Sequence, residues 1–379
     1  MMEMEKTWVN IPDVLFFQEG PGVRNTQYTT EGVKLLNVAN LVDGKVDLST
    51  SDRYISEEEA YGKYKHFLCD EGDFIVASSG IKVEYIDKKM GFIEEPMLPL
   101  CMNTSTIRFK VLDENKLHIR YFMYYLKSQH FKRQLAREIT GSAQLNYGPS
   151  HLKKMKVPLV DISDQERIVN KMDKVQNVVD LRRLELIHLD DLIKARFVEM
   201  FGDPVSNSNG LPESTLPELG EFGRGISKHR PRNDPKLLGG DYPLIQTGDV
   251  ANAGLYITSY SSTYSELGLK QSKMWDNGTL CITIAANIAK TSILKFDACF
   301  PDSIVGFNAN EKTNNIFIHY WFSFFQAILE SQAPESAQKN INLKTLSELK
   351  VIVPVKDKQD KFVEFIKQVD KSKVIEIIK

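Results

Sequence analysis

Residue patterns that make or break covalent bonds have recognisable spacings, and a search of this 379-residue chain finds none of them. No G-x-x-x-x-G-K-[ST] loop is present to cradle a triphosphate on backbone amides, so ATP-driven work has no seat here. No G-x-S-x-G elbow, H-E-x-x-H helix or zinc-deaminase pair occurs, nor the Asn/Asp-Pro-Pro-aromatic loop that holds a flipped base. Asp302 is followed by Glu311-Lys312 at the wrong spacing for the Pro-Asp and acidic-x-Lys set that holds a metal beside a phosphate. Metal-assisted cleavage therefore lacks ligands. Cys69, Cys101, Cys281 and Cys299 form no C-x-x-C and have no His at ligand spacing, which predicts neither zinc nor a disulfide framework and suits a reducing cytoplasm. The expectation is a chain without catalytic residues, metal or cofactor.

What remains are side chains suited to recognition. The stretch GRGISKHRPR carries Arg224, Lys228, Arg230 and Arg232 with no acid among them, a composition that fits phosphate or major-groove contact or a solvated loop. Direct readout uses paired donors and acceptors on loops, as Arg offers guanine and Asn or Gln offers adenine. Ser78, Ser79 and Lys82 follow one apolar run, with Gln144, Asn146 and Tyr147 farther along; Asn287 and Lys290 follow a second run, with Gln338, Lys339, Asn340 and Asn342 after it. Turn capping is the other use such Ser and Asn residues have. From Lys116 to Arg137 six Lys/Arg residues alternate with Tyr121, Phe122, Tyr124, Tyr125 and Phe131; core packing of an amphipathic helix is favoured there over base stacking.

The two sets of loops are positioned by a repeat. GSAQLNYGPSHLKKMKVPLVDISDQERIVNKMDKV from Gly141 aligns with ESAQKNINLKTLSELKVIVPVKDKQDKFVEFIKQV from Glu335. Ser142 matches Ser336, Gln144 Gln338, Leu152 Leu346, Gln165 Gln359 and Val175 Val369, all at one offset of 194 residues. Upstream, EGDFIVASSG resembles NGTLCITIAA, and Trp8 to Gly22 resembles Leu216 to Arg230. A repeat this long is a duplicated domain with a helix attached, not a solenoid unit. Each copy predicts short buried strands, then one aromatic-rich helix, His118 to Leu135 or Phe317 to Glu330, then a Val-Pro segment, making an α+β domain.

After Pro158 the pattern changes to a long helix. Ser163 and Glu166 have capping-box spacing, and neither Gly nor Pro interrupts the chain before Gly202. Apolar residues recur at Ile168, Met172, Val175, Val179, Leu186, Leu189, Ile193 and Phe197, a stripe of helical period. Some 38 residues give on the order of 57 Å. Phe362, Ile366 and Val369 mark a similar but shorter C-terminal helix, and pairing of the two stripes is expected. The predicted organisation is 1–161 and 203–355 as two recognition domains, 162–202 as a spacer helix and 356–379 as its shortened counterpart. If the helices pack antiparallel, the sequential repeat acquires a pseudo-two-fold axis.

Composition adds bounds. With 48 Lys+Arg against 50 Asp+Glu the formal charge is -2, which excludes affinity for nucleic acid drawn from overall positive charge. At 42% hydrophobic residues, the length allows two to three domains, each with a core. MMEMEKTWVN is unlike an export signal, and the longest uncharged stretch, Thr313 to Leu329, falls short of the ~20 apolar residues of a membrane span.

Two dissimilar α+β domains, each closed by a GSAQ or ESAQ loop, a Val-Pro and a helix opening near a Gln, resemble the specificity subunit of type I restriction-modification systems. HLDDLIKARFVEMFGDP, from His188 to Pro204, resembles that family's central helix. The similarity covers nearly the whole chain. It implies two target recognition domains held apart by two long antiparallel helices, double-stranded DNA as ligand, two methyltransferase subunits docked on the chain, restriction and translocase subunits in the full complex, and no catalytic residue of its own. A recognition subunit of another restriction system with bipartite targets, or a coiled-coil scaffold presenting two ligand-binding modules, shares the repeat and the rod.

Overall fold

Phe74–Ala77 and Leu280–Thr283, from the apolar runs noted above, are strands with every residue buried. Each lies inside its sheet with a neighbour on either side. Both its faces are covered, Phe74 and Val76 by one apolar cluster and Ile75 and Ala77 by another, Leu280 and Ile282 by one and Cys281 by another, which is why the run is continuous and not alternating. This computed structural model describes residues 6–139, 146–285, 287–332 and 341–378, and of 330–332 and 372–378 the backbone alone. The chain divides into two compact units, Met1–Asp180 and Leu181–Lys379.

In the first unit, β1 (Thr7–Asn10), β2 (Leu15–Glu19), β3 (Val33–Leu36), β4 (Tyr54–Ile55), β5 (Phe74–Ala77), β6 (Met90–Phe92), β7 (Leu100–Met102) and β8 (Thr106–Val111) precede α1 (Ile119–Lys127) and α2 (Gln129–Glu138). Then come β9 (Lys156–Leu159) and α3 (Ile162–Phe201), which runs on into the second unit. The main sheet has the order β2–β8–β5–β6, a smaller one β4–β3–β7, and β1 pairs with β9, Thr7 opposite Leu159.

The second unit contains β10 (Glu213–Ser214), β11 (Gly220–Arg224), β12 (Leu238–Leu244), β13 (Tyr256–Ile257), β14 (Ser262–Tyr264), β15 (Met274–Trp275), β16 (Leu280–Thr283), β17 (Thr291–Leu294), β18 (Ala298–Cys299) and β19 (Ile304–Ala309). After these come α4 (Asn315–Gln332), β20 (Val351–Ile352) and α5 (Lys356–Ile378). Its sheets are β11–β19–β16–β17–β13 and β14–β12–β18–β15, and β10 pairs with β20. The first unit's order recurs with one strand added to each sheet, down to the parallel neighbours β3 and β7, or β12 and β18.

The matched glutamines explain one shared feature of the repeat. Gln165 is fully buried; its Nε2 donates to the carbonyls of Lys116 (2.8 Å) and Val160 (2.9 Å), and its Oε1 accepts from His118 N (3.0 Å). Gln359 repeats this with the carbonyls of Lys312 (3.0 Å) and Pro354 (2.8 Å) and the Thr313 hydroxyl (2.9 Å). One side chain thus closes the loop ahead of the aromatic helix onto the end of the Val-Pro strand, and satisfies backbone groups that would be costly to bury alone.

The aromatic helix of the first unit is two helices, not the one expected. Ser128 is extended (φ -72°, ψ 150°), ends α1 and caps α2 by accepting from Phe131 N at 3.2 Å. A serine hydroxyl that satisfies a helix N-terminus competes with helix continuation; α4 runs unbroken from Asn315 to Gln332. The aromatics are core, with Phe122 against Phe109 at 5.2 Å between ring centroids, while Tyr121 and Tyr125 donate to the carbonyls of Pro158 and Lys156.

Helix α3 has 40 residues, about 60 Å. Its C-terminal part belongs to the second unit's core: Ile193, Phe197 and Phe201 are buried, and the Phe197 ring lies 5.3 Å from both Phe317 and Phe362. Leu189 packs on the same core, where Phe362, Ile366 and Val369 of α5 also sit. The rest of the stripe differs from the expected pairing. Ile168 and Leu186 are half-buried, and Met172, Val175 and Val179 are exposed. At 23 residues, or about 35 Å, α5 is too short to line the whole stripe from Ile168 to Phe197.

Candidate nucleic-acid interfaces

Antiparallel pairing decides which loops meet. In the first unit Ile107 of β8 lies opposite Glu19 of β2, and Thr106 opposite Ala77 of β5, so the start of β8 and the ends of β2 and β5 share one end of the sheet. There Ser78 N donates to Ser105 O (2.8 Å), Tyr147 N to Ser78 O (2.9 Å) and Ser79 Oγ to Ser105 Oγ (2.6 Å), and Ser79 bridges to Asn146. In the second unit Arg224 lies opposite Val305 and Thr283 opposite Ile304. Ile284 N donates to Ser303 O and Ile341 N to Ile284 O, each at 3.0 Å. Tyr147 and Ile341, matched by the repeat, occupy the same post.

Both sheets also require glycine where the first strand leaves this end. A Cβ on Gly20 would lie 2.0 Å from Asn103 O, and one on Gly225 2.3 Å from Phe300 O. No side chain fits such a backbone approach.

Two of the first unit's expected contacts are withdrawn into the fold. Ser78 and Tyr147 are buried; Ser78 Oγ donates to Glu19 Oε1 (3.4 Å), and the Tyr147 ring is part of the core. Burial, then the nearby Glu19 charge, push the Tyr147 hydroxyl above the ordinary tyrosine range. These side chains shape the loop instead of reaching into a groove. Asn146 and Lys82 are exposed beside them and Ser79 is half-buried. Gln144 lies outside the described residues, as do Gln338, Lys339 and Asn340.

In the second unit Arg224 and Lys228 are exposed. The backbone NH groups of Lys228 and His229 donate to Gln271 Oε1 at 2.7 and 3.0 Å, fixing the loop to the second sheet's neighbourhood. The stretch is acid-free in sequence but not in space: His229 Nε2 lies 3.0 Å from Asp234 Oδ2, and Arg230 and Arg232 both pair with Asp302. Asp302 stands some 70 residues away in sequence, in the turn before β19, so the acid-free run alone does not show it. Lys290 N donates to Thr283 Oγ1 (3.1 Å) and the Asn287 carbonyl accepts from the same hydroxyl, so both sit in the β16–β17 turn at this sheet end. Asn342 Oδ1 accepts from Thr345 N (2.7 Å) and thus caps the helix Leu343–Ser347.

Sequence reasoning weighed Asp302 only as a metal ligand and passed over Ser105, Ser303, Glu19 and Arg24, which lies in the loop after β2. The alignment of Trp8 to Gly22 with Leu216 to Arg230 was a signal that this loop matches the basic one. Among the described residues no cluster of three or more His, Cys, Asp or Glu side chains is placed to hold a metal ion. The four cysteines are free and buried, and burial pushes the Cys101 thiol up to about 12, which leaves little nucleophilic thiolate.

The family described as type I restriction modification DNA specificity domain matches twice, over residues 26–189 and 213–379. The chain is 22% identical over 360 residues to a putative type I restriction enzyme MjaX specificity subunit of Methanocaldococcus jannaschii, spanning 89% of this chain and 80% of that one. It is 23% identical over 189 residues to the MjaVIII specificity subunit of the same organism, spanning 48% of this chain and 43% of that one. Its fold is similar to that of a type I restriction-modification S subunit from M. genitalium (TM-score 0.52, 16% identity, 99% and 92% of the two chains) and to a chain of a type I R-M system (TM-score 0.52, 16% identity, 100% and 94%).

Proposed function

Because this chain belongs to the type I restriction-modification DNA specificity family and is the specificity subunit of such a system, with two target recognition domains, we propose that it reads an asymmetric, bipartite target in double-stranded DNA. Each half-site is read by the loops gathered at one end of one unit's main sheet. The carrying observation is that the frame repeats while its loops do not: the loop after β5 carries Ser79 and Lys82 where the loop after β16 carries Asn287 and Lys290, and the loop after β2, with Arg24, corresponds to the loop after β11, with Arg224 and Lys228. Unlike side chains on like frames read unlike bases.

The chain does no chemistry on DNA itself. Two modification subunits dock on it, with restriction and translocase subunits in the complete enzyme, in the cytoplasm. A formal charge of -2 releases few counterions on its own, so partner subunits supply much of the backbone affinity. Among the described residues no helix is long and apolar enough to cross a membrane.

The test is to assemble the methyltransferase with Lys82→Ala/Asn146→Ala or with Arg224→Ala/Lys228→Ala and sequence the methylated positions. Each double variant should relax or weaken recognition of one half-site and leave the other intact. Equal relaxation of both halves by either variant would contradict the assignment.

A further inference from the structure

Asp302 is seated in the turn between β18 and β19, where Ile304 N donates to Pro301 O at 3.0 Å. One carboxylate there serves two guanidiniums: Oδ2 lies 3.4 Å from Arg230 Nη2, and Oδ1 accepts from Arg232 Nη2. The two arginines are not equivalent. Arg230 Nη1 also donates to the carbonyls of Ser227 (2.6 Å) and His229 (2.8 Å), so Arg230 braces the loop. Arg232 meets no described acceptor other than Asp302 and is 47% exposed. A guanidinium has five N–H donors in a fixed fork; Asp302 engages one edge of Arg232 and leaves the other free. That free edge is the donor pair that a guanine O6/N7 edge accepts.

Resting on the reading that this loop faces DNA, we propose that Arg232 reads a guanine in the major groove and that Asp302 is a positioning residue, aiming the guanidinium before DNA arrives. An exposed ion pair adds little to fold stability. Its effect lies in specificity, because a side chain already held in one geometry loses less freedom on binding. Asp302 is also an anion near phosphates, so removing it favours DNA in general while loosening the aim of Arg232. These opposed effects separate positioning from simple charge.

The experiment uses the methyltransferase assembled with wild-type, Arg232→Ala, Asp302→Asn or Asp302→Ala chains, and reads both the methylated motif and the salt dependence of binding to nonspecific DNA. Arg232→Ala should reduce discrimination at one G·C pair of one half-site by about tenfold to a hundredfold. Asp302→Ala should relax that same pair several-fold, and Asp302→Asn, which keeps an acceptor, by less, with nonspecific affinity equal or raised. Melting curves matching wild type exclude misfolding as the cause. If Arg232→Ala weakens every sequence alike and lowers the salt slope by about one, the residue holds a phosphate and the proposal falls. It falls also if the Asp302 variants leave that base pair fully discriminated. If the Arg224/Lys228 variant still alters a half-site while these do not, the domain's reading stands and only this assignment is lost.

Discussion

Gln165 and Gln359 perform one task in two places: each buried amide joins the loop ahead of an aromatic helix to the end of a Val-Pro strand. The loops that follow β2 and β11 correspond in position yet are held by different chemistry. In the first unit a neutral amide does it, with Val23 N donating to Asn103 Oδ1 (3.3 Å) and Asn103 Nδ2 to Asn37 Oδ1 (2.8 Å). In the second, Asp302 grips two arginines. Buried frame contacts admit few solutions, so both copies keep them. Exposed loop contacts admit many, and the copies diverged there.

A second contrast lies within α3, and the largest expected effect follows from it. Phe197→Ala empties a site among Phe201, Phe317, Phe324 and Phe362 and should destabilise the second unit by about 3–5 kcal/mol. Val175→Ala, at a position 59% exposed, should cost the isolated chain less than about 0.5 kcal/mol. Urea unfolding of both variants checks this, and similar losses would show that the two parts of the helix are not differently packed.

If the frame is duplicated, Gln165→Ala and Gln359→Ala should each cost about 2–4 kcal/mol, since each leaves buried backbone carbonyls without a donor. Hydrogen exchange should localise the loss to the unit that bears the change. A large effect in one unit with none in the other would break the equivalence.

A smaller, pH-dependent effect belongs to the turn that precedes β11. Glu218 accepts from Thr215 N (3.0 Å) and Ser214 Oγ (2.7 Å), and these bonds hold its carboxyl down to about 2, from 4.5. A depressed folded-state value means that the contribution is fully present above about pH 4.5 and is lost as pH falls toward 2. The melting-temperature gap between wild type and Glu218→Gln should close across that window; a constant gap would show that the carboxylate charge is not involved.

Much of the frame was legible in the sequence because it is periodic or repeated. The buried strands, the long helix and the matched glutamines each left a local or fixed-offset signal. What stayed hidden depends on distant partners. The β1–β9 pairing joins residues about 150 apart with only Val-Pro to mark one side, and Asp302 looked like a stray acid until the turn before β19 brought it to the basic loop. Ser128 could continue or cap a helix, and only the packed surroundings decide. The apolar stripe of α3 was read as a face, but period alone says nothing of how far a partner extends along it.

The central claim is that one chain carries two unlike readers, and mapping every methylated base in DNA modified by the assembled enzyme tests it most directly. The expected result is two different short half-sites, separated by a gap of fixed length in which any base is accepted. A palindrome, or a single uninterrupted motif, would contradict it.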